Sequence, residues 1–568
     1  MIILFESYKY EIKFLQDVFG KQLLEEDKLV KEMLVKEQNS ECKILHVGYF
    51  YINNQHIFIL PKIFVQNNEK VCFSELNYEY ISLKYNDLDK ELKNTIHKLT
   101  LTFYRSLSKF KEENINSNIL QEVSIPCLKN LFKGRSAFNL LDVFIAIKDF
   151  NKKYKNLFLS KTISDSQYGN RVNWNKTISK NYPFIINNQP IYPTVIAKRK
   201  AVDFEEPLLC LFYSVINYFN SSLDSKIQIN PKFNILKGKH FSSLLNGKGT
   251  KLLKKLKSNY FSDIYTKLWE LLYLFFEISA KGNTGKNYQC LISKNYEIVI
   301  ESMVDNLIND DQYKNIKHQQ GRRIDHLYKD QDLFNNSQIF YIVDSKYYKT
   351  SEEVKSDPLY KQFIYARNIQ NYEMMNSTND NNIKLYDPIT EGFNIIPNLF
   401  ISPVINSNNF ECFSNFTDTT FYTEKKVEEC QTYFRESLFD RDTLFVQHYY
   451  IDYFFLLHSY IKKKNFSSQY VLNIKNKIKK TFISIITDRF ELYKLSFQTE
   501  KELKDFVKTY FFSLHGKIYT LNSQLLILAI RNDDTNKDKL KKELENIYRE
   551  KPGNENFELK NNKFDFSS

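Results

Sequence analysis

The sequence has few of the residues that build disulfide frameworks, metal clusters and tight turns. Its 568 residues include 7 cysteines, 13 glycines and 12 prolines. The cysteines are odd in number, scattered and never spaced as CxxC, so we expect neither a disulfide framework nor a structural zinc site. A reducing cytoplasm is the expected location. The 9 histidines show no HxxxH or HxH grouping, so none is expected to bind a metal.

Long apolar runs are also missing. "PLLCLFYSVINYF" and "YYIDYFFLLHSYI" fall short of the roughly 18 residues that cross a bilayer, so no membrane span is expected. The N-terminal "MIILFESYKYEIK" lacks the pattern of a signal peptide. A nucleotide site is not expected either. "GKHFSSLLNGKGT" has Ser242 where a phosphate loop needs glycine, and "KGNTGKN" has Asn287 where Ser or Thr would bind Mg²⁺.

The chain has ample material for packed cores and a moderate basic excess. Hydrophobic residues make up 42% of the sequence and the formal net charge is +13. The length predicts several domains, roughly three to four. The positive charge favours an acidic partner such as nucleic acid.

The pattern along the chain predicts a mixed α+β protein with an α/β core. Residues 1–200 mix strand and helix signals, and 43–64 are predicted to form a hairpin around "NN" that ends at Pro61. A helical region is predicted over 201–285. Residues 286–410 alternate helices and strands, which indicates an α/β layer on a mixed sheet. Residues 411–568 are predicted to be helical, including "LFVQHYYIDYFFLLHSYIKKK" and "FVKTYFFSLHGKIYTLNSQLLILAI".

The segment "QIFYIVDSKYYK", residues 338–349, is a predicted strand with two charges inside an apolar run. Asp344 and Lys346 are two positions apart, so they project from the same face. An ion pair on an edge strand would explain them. Two upstream acids favour a different explanation: Asp325 in the predicted strand "RRIDHLYK", and Glu301 on a predicted amphipathic helix. Glu297 lies one turn before Glu301 and is the competing helix acid.

This order of charges suits phosphodiester hydrolysis. Carboxylates can hold divalent cations, which neutralise charge on the phosphate oxygens and the leaving oxygen. Asp325 and Asp344 would hold Mg²⁺, with the Ser345 carbonyl as a further ligand and Glu301 completing the shell directly or through water. Lys346 would orient or help deprotonate the attacking water. Two adjacent carboxylates repel each other strongly without a cation, which favours a metal.

The PD-(D/E)xK nucleases carry these groups in the same order: an acid on a helix, an acid on a strand, and then an acid and a lysine two positions apart on the next strand. "VIESMV", "RRIDHLY", "IFYIVDSKYY" and "YKQFIYA" together resemble the nuclease region of the McrC family and, more closely, the LlaJI-type restriction endonucleases. "HVGYFYINNQHIFILPKIF" and "NRVNWNKTI" are similar to two N-terminal segments of that family. The resemblance implies that Gln362, in the K-Q-x-x-Y helix, supports the site. The family's usual residues are replaced by Ile300, Ile324 and Ser345, which leaves the helix acid open between Glu301 and Glu297.

The resemblance also implies partners. McrC-type nucleases work on double-stranded DNA with a separate McrB-like AAA+ GTPase, so GTP is expected on that partner and Mg²⁺ on this chain. Residues 1–200 would be the partner-interaction domain, 286–410 the PD-(D/E)xK core. The leading hypothesis is therefore the endonuclease subunit of a restriction system. A non-catalytic subunit that binds DNA and activates the GTPase is an alternative, and a self-sufficient type II enzyme is another.

Two further features have competing interpretations. "KGKHFSSLLNGKGTKLLKKLKSNYF", residues 237–261, is strongly basic. It would either follow DNA phosphates or be a solvated helix face, and the two interpretations are equally favoured. Trp174 is expected in a core or at a domain junction rather than as a platform for base stacking.

Overall fold

A computed structural model describes most of the chain. The residues outside the description are 38–39, 53–54, 67–70, 74–75, 79–89, 115–117, 124, 127–136, 156, 167–168, 170, 224, 282–287, 309–312, 314–323, 336, 350–355, 377–384, 406–420, 424–426, 431–436, 463–467, 550–558 and 567–568. The segment "GNTGKN" and the two arginines before Ile324 fall among them.

The first 202 residues contain short strands and six helices among the residues described. In chain order these are β1 (Ile2–Phe5), β2 (Lys9–Glu11), α1 (Ile12–Phe19), α2 (Lys21–Glu26), α3 (Lys28–Met33), β3 (Leu34–Lys36), β4 (Glu41–Ile44), β5 (Val47–Ile52), β6 (Gln55–Leu60), β7 (Val71–Phe73), β8 (Leu76–Tyr78), α4 (Lys90–Glu113), β9 (Leu120–Val123), β10 (Ile125–Pro126), β11 (Ala137–Phe138), α5 (Leu140–Lys153), β12 (Ser160–Ser166), β13 (Arg171–Val172), α6 (Trp174–Lys180), β14 (Phe184–Ile186), β15 (Gln189–Ile191) and β16 (Ala197–Val202).

A helical stretch leads into an α/β region. Its elements are α7 (Pro207–Ser222), α8 (Gly238–Ser243), a π-type turn (Leu244–Lys248), α9 (Gly249–Leu256), α10 (Asp263–Lys281), β17 (Tyr288–Ser293), α11 (Tyr296–Ile308), β18 (His326–Gln331), β19 (Gln338–Ser345), α12 (Ser356–Asn376) and β20 (Asn398–Val404).

The C-terminal part alternates strands and helices. It consists of β21 (Phe421–Tyr422), β22 (Val427–Cys430), β23 (Leu444–Asp452), α13 (Tyr453–Ile461), α14 (Ser468–Arg489), β24 (Phe490–Ser496), α15 (Glu500–Leu514), β25 (Ile518–Asn522), β26 (Leu525–Arg531) and α16 (Lys537–Arg549).

Two larger sheets organise the molecule. The N-terminal sheet has the order β1-β6-β5-β17-β9, and the predicted hairpin is its β5–β6 pair. The second sheet has the order β18-β19-β20-β23-β21, with β22 also pairing to β23. Its centre is mixed: β18 runs antiparallel to β19, whereas β19, β20 and β23 run parallel. The architecture is thus mixed α+β, as the sequence predicts.

The prediction of a helical C-terminal part is right for α13 to α16 but wrong for the strands that alternate with them. "LFVQHYYID" is the strand β23, and helix α13 begins only after Asp452, whose carboxylate accepts a hydrogen bond from the Phe455 N–H at 2.9 Å. A fully buried parallel strand is apolar throughout, so periodicity cannot distinguish it from a buried helix. The second predicted helix ends at Leu514. A turn at Gly516, with φ of +70°, then starts the β25–β26 hairpin.

Trp174 does not lie in a core, one of the two places predicted for it. Its side chain is 54% exposed at the start of α6, near the β14–β15 hairpin, whose side chains are all exposed. Among the described residues, no helix is long and apolar enough to cross a membrane.

Candidate active site

Four elements of the second sheet and its helices bring the predicted site residues together. Asp344 is the second-to-last residue of β19, and Asp325 directly precedes β18 rather than lying inside it. In the β18–β19 ladder His326 is opposite Val343, so Asp325 flanks Asp344. The Asp325 carboxylate extends this pairing, because it accepts a hydrogen bond from the Ser345 N–H at 3.1 Å.

The two aspartates form a coupled carboxyl pair. Burial raises the pKa of Asp325 well above its usual range, and the hydrogen bond to Asp344, the Asp344 charge and the Glu301 charge raise it further. Burial also acts to raise the pKa of Asp344, but the hydrogen bond with Asp325 and the Lys346 ammonium lower it below the usual value. Without a cation, the repulsion between two ionised carboxylates this close together favours one proton shared by the pair.

Lys346 is held against this pair. Its ammonium forms an ion pair with Asp344, and the two side chains are only 13% and 8% exposed. The Lys346 Nζ atom also lies 5.0 Å from the centre of the Phe400 ring on the neighbouring strand β20. A surface ion pair on an edge strand does not describe this arrangement, because β19 is an inner strand and both charges are largely buried.

Gln362 and Glu301 approach the pair from the two helices. Gln362 on α12 is fully buried and contributes to lowering the pKa of Asp344, yet neither of its amide atoms meets hydrogen-bond geometry with a described residue. Glu301 on α11 is half-buried and acts on Asp325. Glu297 is exposed and acts on Glu6 instead. Of the two helix acids, it is therefore Glu301 whose charge acts on the aspartate pair.

The donor set suits a hard divalent cation with several open positions. Within the described residues, no group of three or more His, Cys, Asp and Glu side chains is arranged to ligate a metal together. Mg²⁺ is usually held by one or two carboxylates, with water and substrate phosphates as its other ligands. Asp325 and Asp344 supply such a carboxylate pair, and the Gln362 amide is a polar group beside it.

Behind the carboxyl pair lies a hydrogen-bonded chain that the sequence patterns do not reveal. His326 is fully buried; its Nδ1 lies 2.7 Å from Asp305 Oδ1 and its Nε2 lies 2.5 Å from Ser345 Oγ. The Ser345 residue is thus held through both its hydroxyl and its N–H, the latter by Asp325. The network fixes the backbone between Asp344 and Lys346. His326 has no sequence signal beyond its place next to Asp325.

A second unforeseen contact joins the site to the N-terminal sheet. The Tyr347 hydroxyl donates a hydrogen bond to Glu6, and the Lys62 N–H lies 3.1 Å from both the Tyr347 hydroxyl and Glu6 Oε2. The Lys62 Nζ atom sits 4.4 Å from the Tyr347 ring centre. Burial raises the pKa of Glu6 above its usual value, against the lowering effects of Tyr347 and Lys62. The segment that contains Pro61 and Lys62 is therefore in direct contact with "DSKYY", residues 344–348.

Comparisons with known proteins give one similar structure. No protein-family model matches the chain, and no curated protein matches it. A solved structure described as a half-complex from a tetradecameric assembly of Thermococcus gammatolerans McrB AAA+ hexamers with bound McrC aligns over 85% of this chain and 100% of the matched chain, with 13% identity and a TM-score of 0.31. A score of this size does not define a shared fold, so the functional argument depends on the site residues.

Proposed function

We propose that this chain is the Mg²⁺-dependent DNA endonuclease subunit of a restriction system and hydrolyses phosphodiester bonds. The observation that carries the proposal is the meeting of Asp325, Asp344 and Lys346 at the end of two paired strands, with Glu301 and Gln362 on flanking helices. Separate parts of the sequence supply these groups, and their chemistry is that required for hydrolysis of a phosphodiester.

The proposed role of each residue follows from its charge. Asp325 and Asp344 would hold Mg²⁺, which supplies a Lewis acid for the scissile phosphate. Lys346 would orient the attacking water and place positive charge beside the developing negative charge. Glu301 would accept a proton or a hydrogen bond from a water at the site, and Gln362 would keep Asp344 in position. The pair's shared proton would be released when the cation binds, because the cation removes the repulsion between the two carboxylates.

Replacing Asp344 tests this proposal. The protein, with and without its partner GTPase, is incubated with plasmid DNA in Mg²⁺, and nicked and linear products are measured. Asp344→Ala is expected to reduce cleavage by on the order of a thousandfold or more, because it removes a metal-holding carboxylate and the partner of Lys346. Asp330→Ala, on the same pair of strands but away from the carboxyl pair, is the control and should cut normally. Undiminished cutting by Asp344→Ala would contradict the assignment.

The exposed β14–β15 hairpin supports a protein partner. Phe184, Ile185 and Ile186 are 64%, 75% and 54% exposed, and Tyr182 beside them is 93% exposed. Contiguous apolar surface of this kind is typical of interaction sites. An McrB-like AAA+ GTPase in the cytoplasm is the partner that the sequence resemblance implies, and the hairpin lies in the predicted partner-interaction region.

A second candidate function, a DNA-binding subunit that activates the GTPase without cutting, would use the same hairpin. The discriminating measurement is GTP hydrolysis by the partner with the variant Asp344→Ala/Lys346→Ala. Stimulation without cleavage by the wild-type chain would favour this alternative. Cleavage by the chain alone, without nucleotide, would instead identify a self-sufficient type II enzyme.

A further inference from the structure

The segment 237–262 has a concentration of positive charge that neighbouring acids do not balance. It contains seven lysines and no Asp or Glu. All seven lysines are exposed, and we call them the basic face: Lys237, Lys239, Lys248, Lys251, Lys254, Lys255 and Lys257. Within the described part of the chain, none of them forms an ion pair with a carboxylate. Lysines on other helices do form such pairs, as Lys504 does with Glu500 at 2.5 Å.

The basic face is held on a rigid support. The apolar side of α8 and α9 packs on α10. Phe241 of α8 and Leu253 of α9 are buried there. The Trp269 indole N–H donates to the Leu253 carbonyl at 2.6 Å. A Cβ at Gly249 would come within 2.6 Å of the Phe276 ring, so α9 approaches α10 as closely as only glycine permits. The lysines thus project from a surface whose backbone is fixed.

Clustering these charges opposes folding of the free protein. Lys251 is three residues from Lys254 and four from Lys255, spacings at which like charges on a helix repel each other. Among the described contacts of the basic face, two lysines lie near an aromatic ring, Lys257 at 5.1 Å from Trp269 and Lys254 at 5.9 Å from Tyr273. A bound polyanion would remove the repulsion, so the arrangement is matched to a ligand with closely spaced negative charges.

We infer that the basic face of α8 and α9 binds the phosphate backbone of duplex DNA. Lysines are flexible point charges that neutralise phosphates without reading bases. A lipid surface is disfavoured, because membrane-binding helices insert an apolar side, and here Phe241 and Leu253 of that side are buried, while the exposed Phe261 lies beyond α9. The inference depends on the proposed function in one respect, since DNA is chosen among polyanions as the substrate of the nuclease site.

The test measures DNA affinity as a function of salt. The variant Lys248→Gln/Lys251→Gln/Lys254→Gln/Lys255→Gln is compared with the matched control Lys501→Gln/Lys504→Gln/Lys508→Gln/Lys542→Gln, which loses the same charge from exposed positions on α15 and α16. Binding to a short fluorescein-labelled DNA duplex is followed by anisotropy in EDTA, from about 50 to about 200 mM KCl. EDTA removes cleavage, so the result is independent of the nuclease assay.

The basic-face variant is expected to bind about tenfold more weakly or worse, and its slope of log affinity against log salt should be shallower by about 0.9 for each phosphate that is no longer neutralised. The control should bind within about twofold of wild type, and arginine at the same four positions should restore binding. Thermal unfolding confirms that the glutamine variant is folded. Equal decreases in affinity for both glutamine variants, or no decrease for either, would overturn the inference. So would weaker binding to vesicles of phosphatidylcholine and phosphatidylserine with DNA affinity unchanged.

Failure of this inference and failure of the proposed function are separable. If the wild-type chain binds DNA through the basic face but does not cut it, the inference stands and the nuclease proposal fails. If the chain cuts DNA and the basic-face variant binds and cuts as well as wild type, the nuclease proposal stands and the inference about the basic face fails.

Discussion

At the scale of single residues, burial determines how the carboxyl groups behave. Asp325 and Asp344 are neighbours in a largely buried site, and each alters the pKa of the other. Burial acts in the same way on Asp332, which lies one position beyond the end of β18. No second carboxylate is the main cause of its pKa shift. Asp332 is fully buried, and burial raises its pKa to about 6. Its Oδ1 accepts a hydrogen bond from the Leu333 N–H at 2.6 Å.

Asp332 should make the protein less stable as pH rises from about 4 to about 6. Over that range the folded chain keeps the proton that the unfolded chain releases, so the free energy of unfolding falls with pH and is constant above the folded-state pKa. The span from 3.8 to about 6 corresponds to roughly 3 kcal/mol. Asp332→Asn keeps an acceptor for the Leu333 N–H but cannot ionise. Between pH 4 and pH 7, the free energy of unfolding of this variant relative to wild type should rise by up to about that amount, as measured by urea unfolding. Parallel pH profiles for the two proteins would contradict this explanation.

At the scale of elements, the close pairing of β5 with β17 depends on Gly48. Gly48 is opposite Ile292 in the antiparallel ladder, and a Cβ there would overlap the Leu291 carbonyl oxygen and lie 2.7 Å from the Ile292 Cα atom. Both contacts are to backbone, so no side-chain movement relieves them. Gly247, in the π-type turn before α9, has φ of +97° but nothing within 4 Å of a Cβ.

Alanine at these two glycines should therefore have different costs. Gly48→Ala is expected to lower the free energy of unfolding by on the order of 3 kcal/mol or more, because two strands must separate to admit the methyl group. Gly247→Ala should cost about 1–2 kcal/mol, the penalty for the left-handed backbone alone. Chemical denaturation of both variants measures the difference. Equal costs would show that the strands accommodate the methyl group.

The elements also show what the sequence could and could not predict. The β5–β6 hairpin, α4, α5 and the helix–strand–strand–helix order around Asp344 were predictable, because each has a clear period or turn signal. Strand β23 was not, since its residues are mostly apolar and almost all buried, a pattern that fits a buried helix equally well. The meeting of Asp325, Asp344 and Lys346 was predictable from alternation on paired strands. The His326 chain and the Glu6 contact were not, because they join residues whose spacing in sequence carries no period.

At the scale of the whole molecule, one hydrophobic core connects the N-terminal sheet to the sheet of the candidate site. Phe58 of β6, Leu141 of α5, Ile342 of β19 and Phe400 of β20 are all fully buried members of it. The sheet also includes β23, which lies beyond residue 410. Elements before the predicted nuclease region thus share its hydrophobic core, and β23, which comes after it, belongs to its sheet. The division of the chain at residues 200, 285 and 410 stays a prediction.

The contact of Glu6 with Tyr347 is the place where this shared core reaches the candidate site. Glu6 directly follows β1, and Tyr347 directly follows Lys346. Their hydrogen bond is buried, with both side chains less than about a tenth exposed. A hydrogen bond to a charged or partly charged group in such surroundings contributes more than one between neutral groups in water. A change in the N-terminal sheet would therefore affect Tyr347, next to the lysine of the site.

A double-mutant cycle measures this coupling. Tyr347→Phe and Glu6→Gln are each expected to destabilise the chain, and the double variant should lose about 1–2 kcal/mol less than the sum, because the second change removes a group whose partner is already gone. Glu6→Gln with Tyr493→Phe is the control, since Tyr493 lies in the separate core of β24–β26 and its hydroxyl bonds Glu491. Those two changes should add. Additive effects for Glu6 and Tyr347 as well would show that this hydrogen bond does not couple the two regions energetically. A coupling confined to that pair would show that the N-terminal sheet and the strand of the site stabilise each other through Tyr347.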